Sequence, residues 1–214
     1  MAQLEIVKKV KNAILYKDQK GEFFVRIDNV RLSYPFIGSP SKDEDDNGNE
    51  KKNWRCVGML PKATHTDAKN LLKEVITDLM KKNDAKVPTS NWFLKDGDDA
   101  DDENMHGHFL VSAADSKKRP KVRDERGIIM DEVDEIDQKF YGGCWAHLLI
   151  RPWYFSGKAN NGKTYPKRVP ANLVGVFFHK NDAPFGQGSI DDEDIWEGVK
   201  RDDDDGMDDD DSGL

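Results

Sequence analysis

Apolar residues alternate with polar ones over several short stretches of the chain, and over one longer stretch they recur at helical spacing. Phe23, Val25 and Ile27 take every second position, and the run continues toward Val30 and Leu32 before Pro35 stops it. A period of two puts such side chains on one face of a strand. Residues 54–60, closed by Pro61, form a second candidate strand. Others lie at residues 108–113, around 121–123 and 128–130, at 144–155 and at 173–179. Pro152 predicts that the long strand 144–155 bends or ends at an edge, because proline cannot donate to a ladder. Between Thr66 and Lys82 the period lengthens. Ala68, Leu71, Leu72, Val75, Ile76, Leu79 and Met80 then share one helix face, with Thr64 or Thr66 as the candidate cap.

Strands, one helix inserted midway and more strands argue against alternating βαβ units and for a barrel or strongly bent sheet. The expected fold is mainly β with one or few helices. An OB-fold fits, a five-stranded Greek-key barrel with a helix between its middle strands, although other small barrels share this periodicity. Residues 38–53 and 96–107 are polar, acidic and rich in Gly, Asn and Ser, and read as exposed acidic loop insertions.

Composition changes this picture at the C-terminus. Only 36% of the residues are hydrophobic and 35% are charged, a low apolar share for a chain folded throughout. Residues 191–214 hold 13 acidic residues against Lys200 and Arg201, a net charge of −11. The expected division is therefore an OB-fold domain over residues 1–190 and a disordered acidic tail over 191–214. The other 190 residues carry 31 basic and 28 acidic residues, and 11 of those acids lie in the two runs Asp43–Glu50 and Asp96–Glu103. Without those runs the body is at +14. A nominally acidic chain is thus a basic scaffold with acidic attachments.

Cys56 and Cys144 show no metal-ligand spacing and read as buried reduced thiols, since nothing marks the chain as secreted. The N-terminus lacks the apolar core of a signal peptide, and no window approaches a membrane span, so a soluble cytoplasmic protein is expected.

The chemistry concentrates between Gln138 and Asn181. These 44 residues contain no Asp or Glu, seven Lys or Arg, and nine of the chain's twenty aromatic residues. Aromatic faces stack on unpaired bases of any identity, while Lys and Arg follow the phosphates. Along residues 145–153, alternation points Ala146, Leu148 and Ile150 one way and Trp145, His147, Leu149, Arg151 and Trp153 the other. An aliphatic row opposite a Trp/His/Arg row suits a barrel wall with a binding face, although Trp145 and Trp153 could instead cap the core. Residues 157–168, with Asn160-Asn161-Gly162 at the tip, read as a basic finger carrying Lys158, Lys163, Tyr165, Lys167 and Arg168. Lys117, Lys118, Arg119 and Lys121 form a second basic run placed for phosphate contact. Tyr34 and Phe36, flanking Pro35, and Trp54 with Arg55 are candidate stacking platforms or barrel rim.

Catalytic readings find little support. His106 and His108 form a pair without a third ligand at a recognisable spacing, so no metal or other cofactor is expected. There is no P-loop and no Gly-x-Ser-x-Gly. In the tail, Asp202, Asp203, Asp204, Asp205, Asp208, Asp209, Asp210 and Asp211 can compete with nucleic acid for a basic groove or engage basic pockets on partner proteins. Trp196 and Leu214 supply apolar grip. Two other classes compete with a binding module. One is an acidic-tailed protein that sequesters basic partners, and the other a metal-dependent nuclease.

Three stretches carry a resemblance. Residues 30–36 read Val-Arg-Leu-Ser-Tyr-Pro-Phe, residues 144–153 run from Cys-Trp-Ala to Ile-Arg-Pro-Trp, and residues 170–186 run from Pro-Ala-Asn-Leu-Val-Gly-Val to Asp-Ala-Pro-Phe-Gly. They resemble a tailed-phage family of single-stranded DNA-binding proteins, the phage Enc34 type, itself distantly similar to the replication single-stranded DNA-binding protein of T7-like phages. The resemblance covers most of residues 20–190, and its closing segment is the most specific. It implies an OB-fold, sequence-tolerant binding of single strands, and roles in phage DNA replication, recombination and repair in the cytoplasm of an infected bacterium. It also implies an acidic tail that contacts replication or recombination proteins, and it leaves self-association open. Tails of this kind often end in Phe, whereas this chain ends Ser212-Gly213-Leu214.

Overall fold

The computed structural model describes residues 4–44, 48, 50–159 and 162–185. A hairpin of β1 (Glu5–Val10) and β2 (Ala13–Lys17) comes first, followed by β3 (Phe23–Glu44), β4 (Glu50–Pro61) and helix α1 (Lys62–Lys82). Then come β5 (Leu94–Asp96), β6 (His108–Asp115), β7 (Lys121–Arg123), β8 (Ile129–Met130), helix α2 (Val133–Lys139), β9 (Trp145–Pro152) and β10 (Ala171–Lys180). The strands form one open sheet in the order β5-β6-β4-β3-β9-β10-β7-β8, and the β1–β2 hairpin branches from β3. The fold is mainly β with two helices.

Three register shifts interrupt the pairing of β3 over its 22 residues, and two of them change the phase of its buried side chains. Its buried side chains begin at Phe23, Val25 and Ile27, move to Val30 and Leu32, and return to Ile37. Each change of phase needs an extra residue, and each falls at a register shift: between Ile27 and Val30 against β9, and between Ser33 and Phe36 against β4. Asn29 (φ 55°) and Tyr34 (φ 47°) absorb them in left-handed conformations. Pro35 therefore does not end the strand as expected, because it sits in a bulge where the ladder needs no N–H from it.

Residues 38–53 also differ from expectation. They are mostly strand, since β3 and β4 stay paired out to Glu44 and Glu50. The Trp54 indole donates to the Gly38 carbonyl (3.1 Å), and the Asp137 carboxylate of α2 accepts from the Gly38 and Ser39 amides (3.1 Å each). Backbone pairing of this kind demands no apolar alternation, so a polar two-stranded arm looks like a loop in sequence. The β1–β2 hairpin was missed for a similar reason, because most of β1 is exposed on both faces.

Helix α1 matches the expected stripe: Ala68, Leu71, Leu72, Val75, Ile76 and Leu79 are all buried. It starts four residues early, and neither threonine caps it. The Thr64 hydroxyl donates to the Pro61 carbonyl and the Thr66 hydroxyl to the Lys62 carbonyl. A break at His65 (φ −114°, ψ 18°) separates the first turn, and the buried His65 ring bonds the Asp28 carbonyl (2.9 Å). Helix α2 has seven residues and buries only Ile136, too little to show a period in sequence.

The core lies inside the curve of the sheet, where Val25, Ile27, Val30, Ala146, Leu148 and Ile150 are fully buried and share one cluster with the buried stripe of α1 and with Ile136 of α2. Along β9, buried and half-buried residues alternate strictly, as the sequence predicts. Cys56 and Cys144 are free and buried, and burial pushes both thiols up to about 12. A thiol reagent at neutral pH should therefore modify neither in the native protein and both after denaturation. Rapid labelling of either native thiol would contradict this packing. Among the described residues, no helix is long and apolar enough to cross a membrane.

Candidate nucleic-acid interface

The β5–β6 side of the bent sheet meets the chain at the start of β10. The Phe93 amide donates to the Val169 carbonyl (2.8 Å), and the Val169 amide donates to the Asn91 carbonyl (3.0 Å). The Asn172 amide nitrogen reaches from β10 to the Asp115 carboxylate at the end of β6 (2.9 Å). Over this junction opens a groove of about 1180 Å³.

Seven of the fifteen candidate residues line this groove: Tyr34, Arg55, Lys117, Arg151, Trp153, Tyr165 and Arg168. They come from five distant parts of the chain. Trp153 is 37% exposed, meets Phe155 edge-on at 6.0 Å, and its amide donates to the Pro170 carbonyl (3.0 Å). Arg168 lies over the Phe155 ring at 4.8 Å. The segment carrying Tyr165 and Arg168 folds back as the expected hairpin through the bridges Phe155↔Arg168 and Lys158↔Thr164. Gly157, with φ 89°, allows the tight approach in which the Tyr165 amide donates to its carbonyl (2.7 Å). A Cβ at that position would lie 2.3 Å from the Tyr165 carbonyl oxygen. The finger's tip, Asn160 and Asn161, lies outside the described residues.

The remaining candidates do not line the groove. Phe36 lies beneath Arg55, whose guanidinium is 5.2 Å from the ring centre. Trp54 points to Gly38. Lys118 is exposed beyond Lys117, and Arg119 pairs with Asp131 (3.6 Å). Lys121 lines a different groove, on the outer face of the sheet. Lys158, Lys163 and Lys167 are exposed on the hairpin away from the lining. The tail aspartates, Trp196 and Leu214 lie outside the described residues.

Sequence reasoning missed Lys51, Lys95 and Trp92, which also line the groove. The lining cations are Lys51, Arg55, Lys95, Lys117, Arg151 and Arg168. The single lining acid is Asp115, whose carboxylate accepts from the Lys117 and Lys118 amides (2.8 and 3.0 Å) as well as from Asn172. Arg151 pairs with Glu22 at 3.1 Å, both partly exposed, a pair of small energetic weight. A groove that combines cations with aromatic rings suits a flexible polyanion with planar bases.

The acidic segment at 96–107 is tied to the body. Lys62 bonds both Asp96 and Asp98, and this contact holds both carboxyls below the usual carboxylate range. It touches the groove through Tyr34, whose hydroxyl donates to Asp102 (3.3 Å). Hydrogen bonds from Asn104, with Tyr34 adding a smaller one, keep the Asp102 carboxyl low as well. His106 and His108 both turn to backbone carbonyls, of Ala100 and His106 respectively. Among the described residues no group of three or more His, Cys, Asp or Glu is placed to hold a metal ion.

The bent, mainly β sheet with two helices is a fold of the type seen in single-stranded DNA-binding proteins. The chain belongs to the family described as the single-stranded DNA-binding protein of Enterobacter phage Enc34, whose pattern it matches over residues 23–207. It is similar to the solved single-stranded DNA-binding protein of bacteriophage Enc34, with 34% identity, a TM-score of 0.73, and coverage of 91% of this chain and 99% of that one. That protein has also been solved in complex with single-stranded DNA. There the identity is 35%, the TM-score 0.74 and the coverage 86% and 99%. A single-stranded DNA-binding protein of bacteriophage T7 is a distant neighbour at 14% identity and a TM-score of 0.48, covering 90% of this chain and 97% of that one. No curated protein matches the sequence. The family is one of binding proteins and not of enzymes.

Proposed function

We propose that this chain binds single-stranded DNA without sequence preference, with the strand lying in the groove over the β6–β10 junction. The observation that carries the reading is convergence. Six cations and the rings of Tyr34, Trp92, Trp153 and Tyr165 line one groove whose lone carboxylate is engaged in hydrogen bonds. The solved complex of the phage Enc34 protein with single-stranded DNA supports it. Affinity for a fluorescent oligo(dT) should fall with salt at a log–log slope of about −0.7 for each phosphate neutralised. A salt-independent affinity would remove the electrostatic half of the reading.

The fold behind this groove is read as an OB barrel. In that reading β3, β4, β6, β9 and β10 are its five strands and α2 is the helix before the fourth. The other elements are additions, with α1 inserted between the second and third strands. The observed order β6-β4-β3-β9-β10 fits, as does the Asn172–Asp115 bond that joins β10 to β6. Residues 1–190 then make up the binding domain and residues 191–214 a regulatory tail.

On this reading the protein serves phage DNA replication, recombination and repair in the cytoplasm of the infected host. Its eight aspartates between Asp202 and Asp211 compete with DNA for the groove and recruit basic replication or recombination partners. Truncation after Ile190 should accordingly tighten oligo(dT) binding at low salt, measured by fluorescence anisotropy. Equal or weaker binding by the truncated chain would refute the competition while leaving partner recruitment standing.

A further inference from the structure

A second groove, of about 740 Å³, opens on the outer face of the sheet, beside His147, Leu148 and Leu149 of β9, which precede Arg151. Leu149 of β9 and Val174 and Phe177 of β10 form an apolar floor, with Leu4 at one edge. Strand register explains its depth. Arg26, Leu149, Gly175 and Lys121 stand side by side on four adjacent strands, and Gly175 contributes no side chain between Leu149 and Lys121. One bank is cationic. Lys121 and Arg123 have no ion-pair partner among the described residues, although Arg123 also donates to the Gly127 carbonyl (2.6 Å). Across the groove, Arg26 is already paired with Asp28 (2.9 Å).

An apolar trough beside uncompensated cations selects a segment that carries bulky apolar side chains between carboxylates. The chain has one in Asp191-Asp192-Glu193-Asp194-Ile195-Trp196-Glu197, and the family match runs on through it to residue 207. The route to it starts close by. Phe185 is fixed beneath Arg31, 4.4 Å from ring centre to guanidinium, and its amide donates to the Gly142 carbonyl (2.9 Å). Arg31 pairs in register with Trp145, two positions from the groove residue His147. Ten residues from Phe185 to Ile195 span up to about 33 Å, ample for the distance. We infer that this groove captures Ile195 and Trp196 of the same chain, with the flanking carboxylates against Lys121 and Arg123. The capture anchors the start of the tail and does not depend on competition for the DNA groove.

Cross-linking in the full-length protein tests the inference. The two native thiols are buried, so Val174→Cys with Ile195→Cys introduces the only accessible pair. Under a mild oxidant this pair should close an intramolecular disulfide at least tenfold faster than Ile195→Cys with Asp78→Cys on α1. Adding Lys121→Glu and Arg123→Glu should abolish that advantage. Equal rates for the two pairs, an advantage that survives the charge reversal, or disulfide-linked dimers in place of the internal bond would each overturn the inference. No outcome involves DNA, so the assignment of the first groove stands or falls separately.

Discussion

Replacing Trp153 by alanine is expected to weaken binding of single-stranded oligonucleotides of every sequence by roughly 5- to 150-fold, the equivalent of about 1–3 kcal/mol for one lost base stack. The ring is the most exposed tryptophan of the groove at 37%, and the Trp153–Pro170 backbone bond fixes where it stands. Phe155 supports one side of it edge-on at 6.0 Å, leaving the rest of the ring for a base. Because every base offers a π-face, the loss should be alike for dT, dA and dC oligomers, and phenylalanine should restore most of it. Trp145 provides the control. It belongs to the same outward row of β9, but its indole donates to Asp182 (2.7 Å) and Lys180 lies over its ring at 5.3 Å, away from the groove. Trp145→Ala should leave affinity within about twofold, whereas the cost at Trp153 approaches a full stack. Equal losses at the two positions, or none at Trp153, would show that the strand takes another path.

Leu148→Ala should cost about 2–5 kcal/mol of stability, since it leaves a cavity at the centre of the bent sheet. For a chain of this size that corresponds to a drop in Tm of roughly 4–20 °C, readable by circular dichroism. Leu148 is fully buried, between β3 and β10 and opposite Gly58 of β4. A Cβ on Gly58 would lie 2.6 Å from Leu148 Cδ1, so the glycine is what makes room for the leucine. Adding Gly58→Ala to Leu148→Ala refills part of the void and should recover part of the loss, although Gly58→Ala alone overpacks the site. DNA affinity measured well below the melting temperature should hardly change. A Tm within about 2 °C of the wild type would mean that the core closes over the gap at no cost.

Legibility in the sequence tracked burial. Where one face of an element meets the core, as on β9 or α1, period alone located it to within a few residues. Where neither face does, as on β1 or the outer half of the β3–β4 arm, pairing rests on backbone bonds that leave no trace in side-chain choice. The groove was half legible. The dense stretch 138–181 held Arg151, Trp153, Tyr165 and Arg168, but it also held cations spent elsewhere. Lys139 pairs with Glu125 (2.6 Å) and covers Phe178, and Lys180 covers Trp145. Composition cannot separate such residues from those facing the groove. Trp92, Lys95 and Lys51 gave no local signal, because Trp92 reaches the groove only through its bridge to Val169, far along the chain.

Tyr34 has a consequence for selection. Its backbone sits at φ 47°, where glycine or asparagine is easier to accommodate than a tyrosine, while the residue is 57% exposed and lines the groove. A side chain held in that region costs on the order of 1–3 kcal/mol. A library of variants sorted for heat tolerance alone would therefore drift toward glycine at this position, shedding an aromatic surface that no thermal assay can see. If the ring is used on DNA, heat resistance and strand affinity pull this one codon in opposite directions.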